Sequence, residues 1–166
     1  VIALVLFGLT IPAANWLIGN AGAVCVPNGP CLVPVWPGIM APSGVLMVGL
    51  ALVLRDIVQR RLGPLAGLGA IAVGALISAT LAPPAIVLAS VAAFLLSELA
   101  DFAVYTPLQR RRFVTAVFAS SVVGLVVDSL VFLHLAFGSL DFLAGQIIGK
   151  AWMVLLALPL MHLLRR

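Results

Sequence analysis

A chain of 166 residues that is 64% hydrophobic and only 8% charged cannot clothe a water-facing surface, because a soluble domain carries roughly a quarter of its residues as charges. With a mean hydropathy of +1.29, its solvent is lipid. The formal net charge of +4 rests on nine Lys and Arg that fall mostly in short clusters at helix ends, a distribution that speaks against a nucleic-acid partner and for the positive-inside pattern of membrane proteins.

A spanning helix takes about 20 mostly apolar residues, and six such stretches follow one another, predicting an all-α polytopic protein built as one transmembrane domain over residues 1–166. The chain opens at Val1 without an initiator Met, so a native N-terminal segment is expected to precede it. Its first apolar run lacks the charged start and cleavage region of a signal peptide. Helix one, about Val1 to Ile18, brings Asn15 and Trp16 near its far end. Trp16, like Trp36 and Trp152, can anchor at the lipid interface or stack on a flat ligand. The loop from about Gly19 to Ala41 holds Pro27, Pro30, Pro34 and Pro37, which favour a stiff, extended or re-entrant lid over a helix. Cys25 and Cys31 lie in it, either joined as a disulfide on an oxidising face or packed as two thiols. Neither has a base or further ligands nearby, so no metal site is read there.

Helix two, about Pro42 to Leu62, carries Arg55 and Asp56 too early to serve as a simple end cap. Helix three, Pro64 to Leu81, has no charge and offers Gly67, Gly69 and Gly74 for close packing. Helix four follows Pro83-Pro84 and is expected to end near Tyr105, before Pro107. Its Glu98, Asp101 and Tyr105 share one face at spacings of three and four. A carboxylate there can accept paired hydrogen bonds from a guanine-like edge, take up a proton for coupling, or simply pair with Arg55. Helix five, Phe113 to Phe137, sets Ser121, Gly124 and Asp128 on one face, and helix six, Phe142 to Leu164, sets Gln146 and Lys150 one turn apart. Counting inward from their shared loop puts Asp128 and Lys150 at similar depth, as an ion pair for coupling or for structure alone. Charges buried at such depths cost several kcal/mol unless paired or wetted, so they usually mark a solute or ion pathway.

Arg60-Arg61, Arg110-Arg111-Arg112 and Arg165-Arg166 follow the even-numbered helices, while the loops after helices one, three and five contain no Lys or Arg. Both termini are therefore expected in the cytoplasm. No nucleotide-binding loop or hydrolase signature occurs, so no enzymatic activity and no cofactor are read from the chain, and energy must come from a gradient, a partner or metabolic trapping.

Ser-Glu-Leu-Ala-Asp-Phe-Ala-Val-Tyr (97–105), Ser-Ser-Val-Val-Gly-Leu-Val-Val-Asp-Ser (120–129) and Gly-Gln-Ile-Ile-Gly-Lys (145–150), with Asn15, resemble the queuosine-precursor transporter family, also called the vitamin uptake transporter (VUT) family. The resemblance spans all six helices. It implies a multi-pass protein of the inner (plasma) membrane that imports 7-cyano-7-deazaguanine or a related deazapurine. It carries over Asn15, Glu98, Asp101, Ser121, Asp128, Gln146 and Lys150 as the positions of interest. The chain departs from the family pattern at Ser121, where Asn is usual, at Arg55-Asp56-Ile57-Val58, and in the longer Cys25–Cys31 loop. On this reading Glu98 or Asp101 holds the ligand's guanidine-like edge. Gln146, Ser121 and Asn15 add hydrogen bonds, and Trp16 or Phe102 stacks. The partners implied are a small planar nucleobase-like solute and the bilayer, with monomer and homodimer both open. Three alternatives stand beside it: a vitamin-binding subunit docked on an energy-coupling ATPase module, a membrane enzyme using Glu98 and Asp101 as acid and base, and a structural subunit.

Overall fold

The computed structural model describes residues 2–108 and 113–164, apart from the side chains of Asp56, Arg60, Pro64, Tyr105, Thr106, 113–118 and 157–164. Six helices appear there: α1 (Ile2–Asn20), α2 (Val45–Leu62), α3 (Pro64–Ser78), α4 (Pro84–Leu108), α5 (Phe113–Phe137) and α6 (Leu143–Leu164). Among the described residues, three helical segments are long and apolar enough to cross a membrane: Ile2–Asn20, Pro84–Val104 and Ala119–Phe137. Large apolar side chains such as Leu65, Leu76, Leu88 and Leu156 face outward, while Asn15, Asp128, Gln146 and Lys150 are buried. That inversion suits lipid outside and a polar interior.

α4 runs three residues past Tyr105, and Pro107 is tolerated within it: the helix ends at Leu108 with Pro107 inside. The missing N–H of Pro107 removes a single bond of the last turn, where a proline does least harm. Gly63, at φ 84°, turns the chain from α2 directly into α3, and Pro64 occupies the first turn of α3 as its fixed φ favours. In α1, Pro12 has no N–H to give the Gly8 carbonyl four residues back. Gly74 of α3 closes on that carbonyl, where a Cβ would sit 2.8 Å from the oxygen.

The first loop departs from the all-α expectation. It forms an antiparallel three-stranded sheet, β1 (Val24–Cys25), β2 (Cys31–Trp36) and β3 (Ile39–Pro42), in the order β1-β2-β3. Cys25 and Cys31 are register partners and are joined by a disulfide. Pro37-Gly38, with Gly38 at φ 77°, makes the turn between β2 and β3. The register slips between Pro34 and Trp36, which is where a strand can accommodate a residue lacking a donor. The sheet lies on α6: Trp152 Nε1 donates to the Val35 carbonyl at 3.1 Å, and the Trp36 and Trp152 rings stack 6.1 Å apart. Ser43 Oγ donates to the Leu17 carbonyl at 2.7 Å and ties the start of α2 to the end of α1.

Gly145 of α6 sits so close to β3 that a Cβ would overlap the Met40 carbonyl. Gly145→Ala is therefore expected to lower stability by about 1–3 kcal/mol, the usual effect of overpacking a tight contact. Gly19→Ala, where a Cβ meets nothing within 4 Å, should leave the thermal midpoint in detergent unchanged. Equal midpoints for both variants would refute the close contact.

Candidate functional site

Four helices contribute polar or aromatic groups to one cavity of about 70 Å³. At about 10–15 Å³ per water centre, this is space for about five waters. α1 supplies Phe7, Thr10 and Asn15, and α4 supplies Ser90 and Phe94. α5 supplies Asp128 and Phe132, and α6 supplies Gln146 and Lys150. Val48 and Ala51 of α2 and Ile71 of α3 complete an otherwise apolar wall.

Lys150, only 1% exposed, donates to Asp128 Oδ2 at 2.5 Å and to Ser129 Oγ at 2.9 Å. Ser129 Oγ in turn donates to the Leu125 carbonyl of its own helix. Two opposite charges with added hydrogen bonds are the arrangement that lets ions survive out of water, and they leave the cavity electrically neutral. Ser90 Oγ donates to Asn15 Oδ1 at 2.7 Å. The other half of that amide, Asn15 Nδ2, is buried with no partner, and so is Gln146 Oε1. Each unpartnered buried group costs about 1–3 kcal/mol. A donor and an acceptor therefore stand ready for a ligand.

Glu98 lies elsewhere. Its carboxylate pairs with Arg55 of α2 and accepts from Gln59 Nε2 at 3.1 Å. Arg55 follows Ala51, and Glu98 follows Phe94, by four residues each, so the pair sits one helical turn past the cavity wall. Asp101 packs at the crossing of α4 and α5, where a Cβ on Gly124 would lie 3.5 Å from its own Cβ. Ser121 is exposed, Trp16 is 44% exposed, and neither lines the cavity. Phe102 is likewise on the outer surface. The Asp56 and Tyr105 side chains lie outside the described ones.

The structure thus brings together Asn15, Asp128, Gln146 and Lys150, and sets Glu98, Asp101, Ser121 and Trp16 apart from them. Sequence reasoning passed over Ser90, Thr10 and the three phenylalanines. Ser90 shares a helical stripe with Ser97 and Asp101, seven and eleven residues on, and that stripe was the available signal. Among the described residues no group of three His, Cys, Asp or Glu could hold a metal.

A protein-family profile described as "Putative vitamin uptake transporter" matches residues 78–164. The match takes in α4, α5 and α6, and with them Ser90, Asp128, Gln146 and Lys150. No curated protein and no solved structure matches the chain. With more than half of its residues under that profile, the chain belongs to the vitamin uptake transporter family.

Proposed function

We propose that this protein imports a small, flat, uncharged solute across the inner membrane, and that the solute is 7-cyano-7-deazaguanine or a close deazapurine. The observation that carries the reading is the pair of unpartnered buried amide atoms, Asn15 Nδ2 and Gln146 Oε1, in a cavity walled by Phe7, Phe94 and Phe132. A neutral lactam offers a carbonyl to the first and an N–H to the second, and its ring matches aromatic walls. An ionised ligand finds no unspent charge there, since Asp128 neutralises Lys150. The proposed binding residues are therefore Asn15 and Gln146, with Asp128 and Lys150 as the polar pair at their side.

Six spans with both termini in the cytoplasm suit this role. The Cys25–Cys31 disulfide supports an outer placement of the sheet, because such bonds persist in oxidising compartments.

The test is rescue of queuosine-modified tRNA in a precursor-synthesis mutant that lacks its own importer and is fed low external 7-cyano-7-deazaguanine. Rescue is expected with the wild type and should fall about tenfold or more with Asn15→Leu expressed at equal level, the loss that one buried hydrogen bond implies. A wild-type protein that inserts correctly and gives no rescue would overturn the ligand assignment. Uptake of a vitamin that required a co-expressed ATPase module would establish the subunit reading instead.

A further inference from the structure

The helices fall into two groups by the kind of contact that joins them. Within the first group, glycines bring backbones together. Gly49 of α2 faces Met153 of α6, Gly74 of α3 faces Gly8 of α1, and Gly145 of α6 faces Met40 of β3. α4 and α5 pack along each other as an antiparallel hairpin, with Gly124 against the Ser97 carbonyl. Between hairpin and remainder, polar links run beside the apolar contacts of Ile18 and of Phe7 with Phe94. Asn15 meets Ser90, Lys150 meets Asp128, and Arg55 with Gln59 meets Glu98. The cavity lies along this seam.

The seam is not held equally at its two ends. Both covalent connections of the hairpin, residues 79–83 from α3 and 138–142 into α6, leave from the end that carries the sheet. An apolar cluster holds that same end, with Ile18 against Ala89, Ala93, Phe132 and Leu133. Toward the C-terminus of α4 no covalent connection joins the hairpin to the other helices, and among the described residues the apolar hold is narrower there, with Phe94 of α4 packed on the cluster of Phe7, Leu54, Val58 and Ile71. There the polar bridge from Arg55 and Gln59 to Glu98 spans the seam, and its two charged side chains are partly solvated at 13% and 23% exposure.

We infer that the α4–α5 hairpin swings about its sheet-side end, and that Arg55, Gln59 and Glu98 form the cytoplasmic gate which must open to release solute from the cavity. Close-packed seams resist sliding, whereas a few hydrogen bonds can be exchanged for water as a seam opens. A tethered end and a latched end make a hinge. This rests on the transport reading above, but not on the identity of the solute.

The gate can be read without any ligand. The chain's two cysteines are bonded to each other, so Ala51→Cys, on the cavity wall one turn from Arg55, provides a single free thiol. In membrane vesicles of known orientation, adding Glu98→Gln is expected to raise its labelling by a membrane-impermeant maleimide about tenfold from the cytoplasmic face. That factor corresponds to losing one charge-assisted hydrogen bond. Labelling from the outer face should not change. The exchange Arg55→Glu with Glu98→Arg should return the rate toward that of Ala51→Cys alone. Monodisperse Glu98→Gln protein with unaltered cytoplasmic labelling, or with a rise from the outer face, overturns the gate. Failure of deazaguanine rescue with the labelling pattern intact would remove only the solute.

Discussion

Gln146→Leu is expected to leave the empty protein as stable as the wild type, or more stable by about 1 kcal/mol, while cutting solute uptake by tenfold to a hundredfold. Leucine nearly matches glutamine in length, and the side chain is 2% exposed, so packing changes little. What disappears is an acceptor, Oε1, that is buried with no partner. A group of that kind destabilises the empty state by about 1–3 kcal/mol, and a ligand that satisfies it recovers the same amount on binding. Stability and affinity should therefore move in opposite directions, as they do where a fold tolerates strain for function. Thermal midpoints in detergent and initial uptake rates would be compared on the same preparation. If both fall together, Gln146 is a structural residue.

The buried ion pair should behave differently. Lys150→Met leaves Asp128 charged, 6% exposed and without its ammonium partner, and a loss of about 3–5 kcal/mol is expected, enough to reduce folded yield sharply. Asp128→Leu alone should do comparable harm by stranding Lys150. The double variant Asp128→Leu/Lys150→Met removes both ions and should recover most of the stability, since a buried pair replaced by apolar groups of similar volume is often neutral. Uptake should stay low in the double variant, because the polar bridge between α5 and α6 at the cavity wall is gone. Full uptake by the double variant would reduce the pair to packing, and a double variant no more stable than either single would deny that the two charges interact.

Which features could be read from the chain follows from what each residue competes with. The ends of α5 and α6 were predicted within a residue, because Gly138 (φ 65°) and a polar loop stop one helix and begin the next. The sheet was not predicted, although Pro37-Gly38 is a turn signal. Four prolines in the loop obscured an alternating strand, and the pairing partners of Cys31–Trp36 lie in other segments. Polar residues in apolar runs announced themselves, so Asn15, Asp128, Gln146 and Lys150 stood out. The short loop between α5 and α6 already paired Asp128 with Lys150, but nothing in the sequence said that Asn15 and Gln146 would join them at one cavity. Glu98 could face a ligand or Arg55 equally well on a helical wheel, and the crossing of α2 and α4 decides between them. The phenylalanines of the cavity wall were invisible for a simpler reason: in a lipid-soluble chain an inward ring and an outward ring look the same.

The tryptophans have a consequence of another sort. There are three in the chain, and two of them, Trp36 on the sheet and Trp152 on α6, lie with their ring planes only 15° apart. Stacked indoles couple electronically, so the protein carries an intrinsic optical reporter of whether its sheet is seated on α6. The signal requires no dye and no substitution, and it originates far from the Arg55–Glu98 bridge. Near-ultraviolet dichroism can thus watch one mouth of the molecule while thiol chemistry watches the other.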